Sequence, residues 1–136
     1  MQYYNHTRRL LLNGDVDFTS LKVMLLNNHT FDATHTAMSS ISGNEVHGNG
    51  WPEGGQTIAN VAITTVDTFN AMIDGDDISV TADGSPIGPS NAFVVYDSAN
   101  DNPLFYYTHS STTAGDGFPY SITWDSNNGI ARALSA

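Results

Sequence analysis

No cysteine occurs in the 136 residues of this chain, which excludes disulfides, thiolate zinc centres and cysteine nucleophiles and leaves the redox compartment unread. Positive charge is almost as scarce. Four Lys and Arg stand against 14 Asp and Glu, a formal net charge of −10, and Arg8, Arg9 and Lys22 all lie near the start. Phosphate recognition needs clustered Lys and Arg, so the balance argues against binding DNA or RNA through phosphate contacts and disfavours an anionic membrane surface. Long apolar runs are missing too. Nothing approaches the roughly 20 residues of a membrane-spanning helix, and Leu10-Leu11-Leu12 is too short for a signal-peptide core, so the chain is expected to be soluble and unprocessed. Charged residues make up only 13% while 40% are hydrophobic, which argues for one folded domain over 1–136 with an uncharged polar surface and against disorder.

What is present reads mostly as strands. Tyr3, Tyr4, Thr7, Leu10 and Leu11 recur at helical steps, and Asn13-Gly14 supplies a stop, which predicts one short helix over 2–13 with Arg8 and Arg9 toward its C-terminal, cation-favouring end. Its Tyr and Leu stripe must dock on its own sheet or on a neighbouring subunit. Leu21–Leu26 is nearly continuous in apolar residues, as a central strand buried on both faces would be. A polar loop with one helical turn near 36–40 follows. Alternation over 57–66, with Ala59, Val61 and Ile63 on one face, predicts a half-buried strand that continues, bent, through 68–73 with Phe69 and Met72. Further strands are expected at 78–81, at 92–97 and 104–109 as a hairpin with an exposed tip, at 118–124 with Phe118, Tyr120, Ile122 and Trp124 facing the core, and at 130–134 across an Asn127-Asn128-Gly129 hairpin turn. Pro119 marks an edge or a bulge. The expected fold is mainly β, an antiparallel sandwich or barrel-like jelly roll of about seven or eight strands with one N-terminal helix.

Between two of these strands lies Ile41–Gln56, ISGNEVHGNGWPEGGQ, too rich in glycine to bury much side-chain surface and expected to act as an interaction arm held by its backbone, Val46 and Trp51. Motifs for chemistry are absent elsewhere. His29 and His35 flank Asp32, and His47 lies in the arm, but their spacing matches no ligand signature; exposed loop histidines and no metal are expected. Asp74-Gly75-Asp76-Asp77 fails the EF-hand pattern at Ile78 and Ser85 and reads as a turn. A calcium ion bridged by Asp97, Asn100 and Asp101 at the hairpin tip has no positive support. Glu45 and Glu53, the only glutamates, both sit in the arm rather than on rigid elements, which speaks against paired-carboxylate catalysis. No nucleophile elbow occurs, and Gly48-Asn49-Gly50 is followed by Trp-Pro rather than by a helix. Neither an enzyme nor a cofactor is expected.

Several stretches, in combination, resemble a family of small virion structural proteins of tailed bacteriophages. They are Tyr4–Asp17, Leu21–Val23, Thr34–Thr36, the arm Ile41–Gly55, Val94–Asp97 and Phe118–Ile130, and they span nearly the whole chain. Departures are Trp51 at a usual Tyr position and an insert-like Gly88–Ser90. The resemblance implies a head-decoration or minor virion protein without enzymatic activity, with the major capsid protein or neighbouring virion subunits as partners, self-association into a homo-oligomer, and no nucleic acid or membrane contact. A charge of −10 favours the outer head surface over contact with packaged DNA. Tyr3, Tyr4, Val46 and Trp51 are the candidate partner contacts. Two other readings remain open, a tail or adsorption-apparatus component and a carbohydrate-binding module stacking sugars on Trp51, Tyr106 and Tyr107.

Overall fold

The computed structural model describes residues 1–67 and 70–133. It is a mainly β, antiparallel sandwich-like fold rather than a closed barrel. Eleven strands are present among the described residues, in chain order β1 (Gln2–Tyr3), β2 (Leu21–Leu26), β3 (Glu45–Val46), β4 (Gln56–Thr57), β5 (Ala62–Thr65), β6 (Ala71–Asp74), β7 (Ile78–Thr81), β8 (Ile87–Asp97), β9 (Asn102–Ala114), β10 (Pro119–Ile122) and β11 (Ala131–Ala133). One α-helix, α1 (Thr7–Asn13), follows β1.

The main sheet runs β1-β9-β8-β2-β3, with β4 also on β2. Its centre is the apolar run foreseen from sequence: β2 is paired with β8 along its whole length on one edge, and with β3 and β4 on the other. Side-chain parity then divides the interior in two. Val23 and Leu25, with Val95, Phe93 and Phe105, face a large cluster closed by Trp51, Ile58, Ile73, Tyr120, Ile122, Trp124 and Ile130. Met24 and Leu26, with Val94, Ala92 and Tyr106, face a second cluster closed by Tyr4, Met38 and Ile41, with Phe31 against it. Two small sheets, β7-β10 and β5-β6-β11, carry much of the first cover. The segment between β2 and β3, with a 3-10 turn at Met38–Ser40, supplies the second.

The helix is shorter than the periodicity over 2–13 predicts. Gln2 and Tyr3 instead add a strand to the edge of β9, opposite Tyr106 and Phe105. Edge pairing and the Tyr3–Phe105 ring contact at 5.3 Å outweigh helix extension there. Thr7 then begins α1, its hydroxyl donating to the Leu104 carbonyl at 2.7 Å. Gly14 ends it in the left-handed conformation, as Asn13-Gly14 foretells. Because α1 starts at Thr7, Arg8 and Arg9 occupy its first turn, not its last, and dipole compensation is lost. Arg8 lies over the Tyr3 ring at 5.1 Å instead.

Other expectations change as well. The strand over 57–66 is broken: Ile58 turns into the core, Asn60 adopts a positive φ of 54°, and all four residues of β5 are exposed. The bent continuation over 68–73 is replaced by β6, a hairpin partner of β5; Phe69 lies outside the described residues. In the C-terminal stretch Tyr120, Ile122 and Trp124 are buried as expected, but Phe118 is 68% exposed. The turn at 125–129 forms, yet β10 and β11 do not pair with each other: β10 joins β7 and β11 joins β6. The hairpin of β8 and β9 is longer than expected, and Gly88–Ser90 falls where its register shifts. Its tip is closed by Asp97, fully buried, whose carboxylate accepts from the backbone N–H of Asp17 and Ala99 at 2.9 and 3.0 Å and from the Asn100 amide at 2.7 Å.

Burial raises the ionisation of every tyrosine above the ordinary value of 10.0, most strongly of Tyr4 in the second cluster and of Tyr107 packed against the first, which makes the fold sensitive to alkali. Above that pH the unfolded chain releases protons that the folded chain keeps, so stability is complete below it and falls as pH rises. The urea midpoint is expected to drop between about pH 9 and about pH 11, and Tyr4→Phe to flatten the drop; a midpoint constant over that range contradicts the burial of these groups.

Candidate functional site

The glycine-rich segment is built into the protein. The chain leaves the edge of β2 after β3 and returns to the same edge at β4, so 47–55 is an excursion between two short ladders. Gly48 and Trp51 exchange backbone hydrogen bonds of 2.8 and 3.1 Å across the first turn. Glu45 accepts from the Gly54 N–H at 2.5 Å, and the Tyr96 hydroxyl donates to the Gly54 carbonyl. At Gly55, φ is +98° and a Cβ would meet the Val23 carbonyl oxygen at 2.4 Å, so only glycine allows this backbone to lie so close to β2. A free arm therefore does not describe 41–56.

Its side chains follow. Trp51 is 1% exposed and meets Tyr120 edge-on at 5.5 Å, capping the first cluster. Tyr4 is equally buried in the second. Of the four residues expected to contact a partner, these two are interior, because each fills space between the main sheet and its cover. Tyr3 and Val46 remain half-buried. The Tyr3 hydroxyl donates to the Arg132 carbonyl at 2.9 Å, and Val46 lies beside Leu25 in the ladder. Tyr106 is also interior, at 2% exposure, so the carbohydrate reading keeps only Tyr107 of its three rings.

Two surface features went unread in the sequence. The first is a cleft of about 710 Å³ between β9 and the C-terminal segment, with Phe93, Tyr107, Tyr120 and Trp124 in its lining and Asp125 and Arg132 among its polar groups. Phe93 and Tyr107 stack at 4.6 Å, and Trp124 packs on both at 6.0 and 6.1 Å. The indole is fixed by donating to the Asp76 carbonyl at 3.0 Å, while its backbone N–H bonds Asp77 at 2.8 Å. Tyr107 donates to the Ile130 carbonyl, which ties the C-terminal segment across the cleft. Such a site suits a flat apolar group with polar atoms at its rim. Phe93 and Tyr107 are opposite one another only in the shifted register of the hairpin, which hydrophobic alternation does not reveal.

The second feature is β5. Among the described residues it forms the outer edge of its sheet and pairs only with β6, and it carries Ile63 at 60% exposure. Beside it an apolar groove of about 140 Å³ is lined by Leu11, Phe18, Ile63 and Met72, among others.

The acidic turn is structural where its bonds are seen: Asp76 accepts from the Asn60 amide at 2.7 Å and Asp77 holds Trp124. At the hairpin tip, Asp97 is engaged by the backbone and by Asn100. Among the described residues no three His, Asp or Glu side chains gather as a metal-holding group. His47 is exposed, whereas His29 and His35 are half-buried rather than exposed.

Comparison of the chain with protein-family models, curated proteins and solved structures returns no match.

Replacement of Trp51 separates a core role from a surface one. Trp51→Ala is expected to lower unfolding stability by about 3–5 kcal/mol, as for other buried aromatic truncations, measured by urea denaturation. A loss below about 1 kcal/mol would place the ring outside the core.

Proposed function

We propose that this chain is a non-enzymatic structural protein of a tailed-phage virion, a decoration protein on the outer head surface that joins its neighbours through the β5 edge. The observation that carries the reading is that edge. Exposed edge strands are usually blunted by Lys, Pro or a bulge, because they offer unpaired N–H and C=O groups to any other strand. Residues 61–66, VAITTV, contain no charge and no proline in a chain of net charge −10. A neighbouring subunit adding a strand here meets β-branched side chains, an apolar groove beside Ile63 and no like charge on the strand itself. Many such contacts, each weak, reinforce a shell. The −10 charge supports the outer face, since packaged DNA would repel it.

The aromatic cleft favours a second reading, a tail or adsorption component that touches a receptor glycan, with half-buried Tyr107 at the cleft in place of the interior Trp51 and Tyr106.

Co-sedimentation of purified protein with undecorated heads tests the first reading. Wild-type protein is expected to pellet with heads, and Thr64→Lys to weaken binding at least about tenfold, or about 1.4 kcal/mol, without changing the urea midpoint, because Thr64 is exposed. Protein that ignores heads and labels tails supports the second reading; head binding untouched by Thr64→Lys removes β5 from the contact.

A further inference from the structure

The segment covering the second cluster contains an arrangement that the spacing of its histidines conceals. The His29 and His35 rings lie 6.1 Å apart, beside Tyr106 and near Phe31 and Tyr4. Three of the buried polar atoms that lack any hydrogen-bond partner among the described residues belong to this cluster: His29 Nε2, His35 Nδ1 and the Tyr4 hydroxyl. Unpaired buried polar atoms are costly, on the order of 1–3 kcal/mol each, and three together are rare without a ligand to satisfy them.

Each imidazole has an oxygen beside its other nitrogen, at hydrogen-bond distance for His29 and at ion-pair distance for His35. Asn44 donates through its amide nitrogen to the carbonyls of Asn27 and Asn28 at 3.2 and 3.4 Å, which turns its oxygen toward His29 Nδ1 at 3.2 Å. Facing an acceptor, Nδ1 carries the proton and Nε2 keeps a bare lone pair. On His35, Nε2 faces the Asp32 carboxylate at 3.8 Å, leaving Nδ1 as the bare nitrogen. The Asp32 carboxylate is itself held in place by accepting from the Thr34 hydroxyl and N–H at 2.7 and 2.9 Å. On His29, an oxygen bonded to one ring nitrogen with nothing on the other is the arrangement by which proteins orient metal-binding histidines, and on His35 the Asp32 carboxylate lies on the corresponding side.

We propose that His29 Nε2 and His35 Nδ1 bind one late first-row transition-metal ion, Zn²⁺ or Cu²⁺, with solvent completing its coordination and the Tyr4 hydroxyl donating to a solvent ligand. Imidazole is a preferred ligand of both ions. A metal–nitrogen bond of about 2.0–2.1 Å puts each ring centroid roughly 3.2 Å from the ion, so two ligands of one ion have centroids at most about 6.4 Å apart. The observed 6.1 Å falls inside that bound. It is close to the maximum, so binding draws the rings together. The ion would cross-link the cover of the second cluster over Tyr106, a role independent of partner binding at β5.

The test is titration of the EDTA-treated full chain with Zn²⁺ and with Cu²⁺, followed by calorimetry and by thermal melting. One ion per chain and a raised melting temperature are expected. His29→Gln and His35→Gln should each abolish both effects while circular dichroism remains that of the wild type. Asn44→Ala should weaken binding about 10–100-fold, as loss of an orienting partner does, and His47→Gln and His109→Gln should change nothing. Absence of uptake of either ion, or uptake that survives the His29→Gln/His35→Gln double variant, overturns the proposal.

Discussion

Everything in this protein is arranged about the demands of β2. Five of its six residues are buried, with Lys22 half-buried, and it is hydrogen-bonded along both edges, so the chain must provide two covers and two edge partners. One edge goes to the long hairpin. The other goes to a segment that can approach closely only because Gly55 has no Cβ where the Val23 carbonyl stands. Glycine content that reads as looseness in one dimension is close packing in three.

That inversion explains what was legible in the sequence. β2, β7 and the 3-10 turn at Met38–Ser40 could be read because their signals are local: a continuous apolar run, a short strand between turns, a polar loop. The Gly14 stop and the burial of Tyr120, Ile122 and Trp124 belong to the same class. Misreadings arose where the decisive partner is remote. Tyr3 and Tyr4 share a helical stripe in sequence, but Tyr3 pairs with Phe105 while Tyr4 enters the second cluster. Ile63 alternates as a core residue should, yet its strand ends at an uncovered edge. The wide exposure of Phe118 and the burial of Trp51 follow from tertiary position, and no pattern along the chain distinguishes them.

Less of the candidate sites could be read. The aromatic cleft needs the hairpin register, and the paired histidines need the Asn44 amide, 15 residues beyond His29. These features occupy different parts of the fold: the first cluster meets the cleft, the second meets the histidines, and β5 touches neither strand-paired edge of β2. Substitutions in one of these regions are therefore expected to act independently of those in another, as additivity between distant sites predicts.

The turn at 125–129 sends its two flanking strands to different sheets, β10 to β7 and β11 to β6. The β5-β6 hairpin forms locally and gains β11 only later, whereas β7 waits for a partner made about 40 positions after it. On a ribosome, β7 has no partner until 119–122 emerge, and the first hydrophobic cluster stays uncovered by Tyr120, Ile122 and Trp124 until then. Closure of that side of the sandwich is a late, long-range event, of the kind that slows folding and lengthens the exposure of apolar surface. The segment 119–131 acts as the clasp of the molecule, and the half-made chain ahead of it is a species that a cell must keep from aggregating.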